Sequence, residues 1–124
     1  MNTTKATAIR NFNENQLYND SASVYRYTKV KNPDNSTTQK LKNIPELSAL
    51  PCLLNIEKPD SAEAEGEINS LNAVYSMFIS DLESIKSGDY IKVMSKRKEY
   101  KFIAGDPVVY DCHQEVPLSL KEWA

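Results

Sequence analysis

The sequence predicts an all-β domain: a small antiparallel β-barrel or sandwich with long loops and an N-terminal arm. Three observations carry this. Short runs rich in Val, Ile, Tyr and Thr recur along residues 21–124, and β-branched and aromatic side chains favour strands. Polar clusters containing Pro, Asp, Asn or Gly separate the runs. No long amphipathic helical pattern follows residue 20. Roughly five or six short strands in a chain of 124 residues suit a single domain.

The arm comes first. Residues 1–20 are rich in Asn and Thr, with spaced anchors at Ile9, Phe12, Leu17 and Tyr18. Asparagine lowers helix propensity, so the arm is expected to be at most partly helical and to order only against a neighbour or partner. ASVYRYTKV (22–30) reads as a strand. KNPDNSTTQK (31–40) reads as a polar turn, and LKNIPELSAL (41–50) as irregular chain interrupted by Pro45. PCLLNI (51–56) is a short apolar run, expected as a buried strand starting near Cys52.

EKPDSAEAEGE (57–67) sets Glu57, Asp60, Glu63, Glu65 and Glu67 against the single Lys58. With nothing to bury, it should be a solvated loop. NAVYSMFIS (72–80) resumes an apolar strand with Ala73, Tyr75 and Met77 on one side. DLESIKSGD (81–89) is a connector in which Gly88 supplies a turn.

A hairpin follows. Side chains alternate along a strand, so Ile91 and Val93 face one way while Tyr90, Lys92 and Met94 face the other. SKRK (95–98) is polar like a hairpin turn but lacks the Asn-Gly signature of the tightest loops. Tyr100 and Phe102 share a face on the return. Residues 105–120 read as one closing strand. Its inner face is Val108, Tyr110, Cys112, Val116 and Leu118, interrupted by Gln114, and its outer face is Val109, Asp111, His113 and Glu115.

Composition narrows the function. Fifteen basic and 17 acidic side chains give a net charge of −2, with no general attraction to nucleic acid or anionic membrane. The polar N-terminus lacks the apolar core of a secretory signal, and LSALPCLLNI is too short to span a bilayer. An aqueous, cytoplasmic setting is the expectation, in which Cys52 and Cys112, outside any CxxC spacing, act as core thiols.

Catalytic and metal sites are not expected, nor is a cofactor. Asp111, His113 and Glu115 spaced by two on one strand would spread over about 7 Å per pair, too far for one ion with ligands at about 2.0–2.2 Å. Cys112 and His113, as adjacent strand residues, would face apart. The carboxylates cluster where water should screen them, away from any cleft that could tune a general acid or base. Lys92, Lys96, Arg97, Lys98 and Lys101 gather around the hairpin, with Tyr90, Tyr100 and Phe102 near. That group could bind oligonucleotides by stacking and phosphate contact. The contrast between this basic patch and the acidic segment suits head-to-tail association between copies.

In order and spacing, the pieces resemble the head-completion proteins of tailed bacteriophages, the stopper or head-closure components of the head–tail connector. The resemblance rests on Val24-Tyr25-Arg26, Pro51-Cys52, Ile85 with Gly88-Asp89-Tyr90-Ile91, and Tyr110 with His113-Gln114-Glu115-Val116, and covers roughly residues 20–120. It implies a β-barrel without chemistry that forms a sixfold or twelvefold ring below the portal and adaptor proteins. Such a ring retains packaged DNA, touching it only non-specifically in the channel, and offers a docking surface to tail proteins. The implied location is the virion, with assembly in the host cytoplasm and no membrane contact. Glu57, Asp60, Glu63, Glu65 and Glu67 would then belong to the channel loop, with residues 32–48 as the other candidate. Two other readings are a different virion barrel, such as a tail terminator or tail-joining protein, and an oligonucleotide-binding barrel using the basic hairpin.

Overall fold

Among the described residues eight strands form, rather than five or six. They are β1 (Asp20–Lys31), β2 (Thr37–Asn43), β3 (Leu50–Glu57), β4 (Val74–Ile79), β5 (Tyr90–Ser95), β6 (Lys98–Ala104), β7 (Val108–Tyr110) and β8 (His113–Leu120). The computed structural model describes residues 3–58 and 73–122. The sheet runs β2-β1-β3-β4-β8-β6-β5, and β5 pairs back onto β1. The expected architecture therefore forms: β1, β3, β4, β8, β6 and β5 close a six-stranded antiparallel barrel, with β2 and β7 outside the ring.

The alternation rule fills the barrel. Ala22 and Val24, Met77 and Ile79, Ile91 and Val93, and Val116 and Leu118 point inward from their strands, with Cys52 and Phe102 between them. Ile79 thus joins Tyr75 and Met77 on the inner face of β4. A barrel this narrow has no lumen; side chains occupy its axis.

Residues 31–50 depart from expectation. The polar turn is only Asn32–Ser36, where Asp34 Oδ1 accepts hydrogen bonds from the Ser36 N–H (3.0 Å) and hydroxyl (2.6 Å). Beyond it β2 pairs with β1 from Lys31↔Thr37 to Tyr25↔Asn43. Almost every β2 residue is exposed, so no period-2 apolar signal exists in the sequence to announce the strand. Pro45 opens a 3₁₀ turn, Pro45–Leu47, that buries Leu47.

The closing segment also differs. β6 and β7 both pair with β8, in registers Ala104↔Leu118 and Val108↔Glu115. That one-residue offset is a β-bulge, and it reverses facing. Val108 and Tyr110 are half exposed on the outside, and the chain turns at Cys112 (φ 70°) before β8 begins. Gln114 shares the inner face with Val116 and Leu118 rather than interrupting it. SKRK proves to be a two-residue loop: Lys96 (φ 49°) and Arg97 (φ 68°) both lie in the left-handed region, the tightest hairpin class, reached without Asn or Gly. Each costs about 1–2 kcal/mol of local strain.

The arm forms a helix, α1 (Thr3–Phe12), and a π-helical turn (Asn13–Leu17), and it packs on its own barrel. Arg10 Nε and Nη2 each donate to an Asp81 carboxylate oxygen at 2.8 Å, and Ala6 covers Cys112. The expected anchors are only partly right. Tyr18 is buried, but Phe12 and Leu17 are 56% and 44% exposed.

The Arg10 guanidinium holds the Asp81 carboxyl below its ordinary range. A lowered folded-state pKa stabilises docking above the unfolded value of about 4, and this is lost as pH falls through the folded value. Acidification through and below pH ~4 should therefore raise hydrogen exchange in residues 3–17 before barrel amides respond. Arg10→Ala should do the same at neutral pH and expose Cys112 to thiol reagents. A Cys112 that stays protected in this variant would show that the ion pair does not hold the helix.

Candidate functional site

Arg26 is the first residue to build from. It shares the inward parity of Ala22 and Val24 but sits where the barrel ends, so its guanidinium meets the connector between β4 and β5 instead of the core. Asp89, just after Gly88 (φ 90°), receives it. Arg26 Nε donates to Asp89 Oδ1 at 2.7 Å and Nη2 to Oδ2 at 2.9 Å, while Nη2 also reaches the Ser84 carbonyl at 2.6 Å. The Lys86 N–H donates to Asp89 Oδ2 at 2.8 Å. Asp89 is only 4% exposed, so the carboxylate is buried, paired and multiply hydrogen-bonded. It raises the Arg26 guanidinium pKa further, keeping it charged.

Gln114 works on the same connector. It is 2% exposed, and its Nε2 donates to the carbonyls of Ser80 (2.8 Å) and Glu83 (2.6 Å). Together Arg26, Asp89 and Gln114 pin residues 80–89 across one end of the barrel. Sequence reasoning singled out none of them as a functional residue. The available signal was a charged or amide side chain at an inward parity position.

Past Arg26 the two strands β1 and β2 continue alone as a ribbon, exposed on both faces. Tyr27 braces its root, edge-on to Tyr90 with ring centroids 5.5 Å apart. Among the described residues, the outer edge of β2 has no pairing strand.

The end of β3, where the predicted acidic segment starts, and the tip of the β5–β6 hairpin lie at the opposite end of the barrel, where β1 enters. β1 pairs there with β3 (Asp20↔Cys52) and β5 (Ser21↔Met94), and both strands run on past it to Glu57 and to the Lys96–Arg97 loop. Glu57, the last residue of β3, and the basic loop thus stand at the same end of the barrel. Glu57 is exposed at the end of β3; Asp60, Glu63, Glu65 and Glu67 lie outside the described residues.

The basic residues do not form one patch either. Lys92 and Lys101 are cross-strand neighbours on the outer wall, where Lys92 pairs with Glu99 at 3.1 Å. Lys98 lies at the barrel mouth, its Nζ 4.9 Å from the Tyr100 ring centroid, and Lys96 and Arg97 form the loop tip. Tyr75, Tyr100, Lys98 and Leu120 line a groove of about 490 Å³ beside this mouth. Tyr100 stacks on Phe102 beneath it, with centroids 5.8 Å apart.

The reactive side chains are placed for packing. Burial pushes the Cys52 thiol up to about 12, so it is neither a thiolate nor a nucleophile near neutral pH. Asp111 lies in the turn before β8, so the expected D-x-H-x-E strand face is broken. His113 stacks on Tyr110 at 4.9 Å. No three His, Cys, Asp or Glu side chains converge as metal ligands among the described residues. What the geometry offers is surfaces: a clamped ribbon, exposed strand edges and a basic aromatic mouth. No protein-family model matches the sequence, and no curated protein shows significant similarity to it.

Proposed function

We propose that this chain is a structural protein of a phage head–tail connector. In this reading it is a ring-forming stopper or head-closure component that sits below the portal and adaptor, retains packaged DNA and receives the tail. The observation that carries the reading is the clamp. Val24-Tyr25-Arg26 and Gly88-Asp89, two of the motifs behind the resemblance, meet in one buried ion pair, and Gln114, from a third, pins the same connector. Their joint effect is to hold a β-ribbon clear of a small barrel. A barrel that invests its buried polar groups in posing a projection suits assembly more than turnover.

The test is genome retention. Deleting residues 58–66 should leave the barrel folded, because changing loop length costs little, and should let DNA leak from tailless heads. Particles that keep their genomes after this deletion, but lose them when the ribbon within residues 32–48 is shortened, would move the gate to the ribbon. Retention in both cases, or heads assembled normally without the protein, would overturn the reading.

A further inference from the structure

Beyond the barrel, the β1–β2 ribbon concentrates one sign of charge. Residues 27–43 hold four lysines, Lys29, Lys31, Lys40 and Lys42, against the single acid Asp34. The whole chain stands at −2, so the excess is local. All four lysines are exposed, and none forms an ion pair with another described residue. Asp34 sits in the tip, where its carboxylate is engaged by the Ser36 N–H and hydroxyl.

Register distributes these cations. Directly opposed residues of an antiparallel pair share a face. Lys29 and Lys31 stand on one face, opposite Gln39 and Thr37. Lys40 and Lys42 stand on the other, with Thr28 opposite Lys40. Both faces are therefore basic, each with two lysines about 7 Å apart along the strand. Over Tyr27–Lys31 and Thr37–Leu41 the ribbon is two strands wide and about 17 Å long. A two-stranded ribbon is marginal on its own, and like charges repeated along each face do not help it. The Arg26–Asp89 ion pair at its root holds it in place.

We propose that this ribbon seats in the major groove of duplex DNA, with Lys29 and Lys31 on the phosphates of one bounding strand and Lys40 and Lys42 on those of the other. The proposal deepens the connector reading and rests on it for the source of the duplex, the packaged genome. The occupant follows from the arrangement of charge. A flat acidic surface would meet one face and leave the other pair of lysines in water. A groove walled by phosphates on both sides meets both pairs at once. The major groove of B-DNA is about 12 Å wide and admits a two-stranded ribbon, whereas that of duplex RNA is deep and narrow. Lysine is depleted at protein–protein interfaces, and Tyr27 is the ribbon's one exposed large apolar side chain among the described residues. Thr28, Thr37 and Gln39 bring donors for phosphate oxygens, contacts that position a protein without reading sequence.

Fluorescence anisotropy of a labelled duplex of about 20 bp, titrated with the full chain, tests it. Wild type should bind whatever the sequence, with log K falling against log salt at a slope of about −3.6, the value for four phosphate contacts. Lys29→Gln with Lys31→Gln, and Lys40→Gln with Lys42→Gln, should each halve that slope and weaken binding about tenfold or more at low salt. Lys96→Gln with Lys98→Gln, at the tip of the β5–β6 hairpin, should leave the affinity unchanged. Duplex RNA and a single DNA strand of the same length should bind more weakly than the DNA duplex. Wild type that fails to bind at about 100 μM protein and ~50 mM salt would overturn the proposal, since non-specific binding at physiological salt falls at about 10⁻⁴–10⁻⁶ M. So would loss from only one ribbon pair, loss confined to the Lys96 and Lys98 variant, or binding of the single strand or the RNA as tight as that of the DNA duplex. Anisotropy reads the isolated chain and genome retention reads whole particles, so the ribbon contact can fail while the connector role stands, and the reverse.

Discussion

Arg26→Ala is expected to destabilise the protein by about 3–5 kcal/mol, a large share of the roughly 5–15 kcal/mol available to a small domain. The cost comes from what remains. The Asp89 side chain is 5% exposed, so removing its cation leaves a carboxylate with only the Lys86 N–H in a poorly solvated place. The reverse substitution should hurt less. Asp89→Asn keeps the shape and removes the charge, while Arg26, 27% exposed, can turn to water. Urea titration should therefore rank Arg26→Ala as more damaging than Asp89→Asn, with Arg26→Lys between them because an ammonium cannot match the two-pronged contact. Hydrogen exchange should localise the loss to residues 25–43 and 80–89. Equal losses for Arg26→Ala and Asp89→Asn would mean that the buried charge is not the source.

Phe102→Ala should cost a similar amount, about 3–5 kcal/mol, through a different mechanism. Phe102 is fully buried at the point where β6 joins its two neighbours, opposite Ile91 on β5 and Leu120 on β8. Its ring packs against Tyr75 and Tyr100, with centroids 5.3 and 5.8 Å away. Truncation removes transfer energy and leaves a cavity that a closed barrel cannot collapse, because every wall is tied to two others. Tyr110→Ala is the control: half exposed on β7, it should change stability by no more than about 0.5 kcal/mol. A Phe102 variant as stable as wild type would mean that the aromatic cluster is not what closes β6 into the barrel.

The fold class was legible because alternation is a local property. Val24, Ile91, Val93 and Phe102 announce their inward direction within a few residues of themselves, and all are fully buried. β2 was not legible, since its Thr, Gln and Lys residues are exposed on both faces and the strand exists only because β1 is there to pair with. The bulge between β6 and β7 escaped for a related reason. Gly105 and Pro107 mark a break, but only the register against β8 shows that facing reverses there. Of the candidate site, the acidic and basic clusters were visible as composition; that the basic residues would divide between the outer wall, the mouth and the loop tip was not.

By itself, the sequence determined a barrel-forming pattern, two buried thiols, and charges grouped in separate stretches of chain. Each follows from side-chain chemistry acting over a few neighbouring positions. Only the tertiary structure decided that Arg26 and Asp89, 63 residues apart, would share a buried ion pair, and that α1 would fasten to Asp81. The reason is that strand order in a closed sheet is a non-local property. It depends on which edges meet, and a strand's own residues state its faces but not its neighbours.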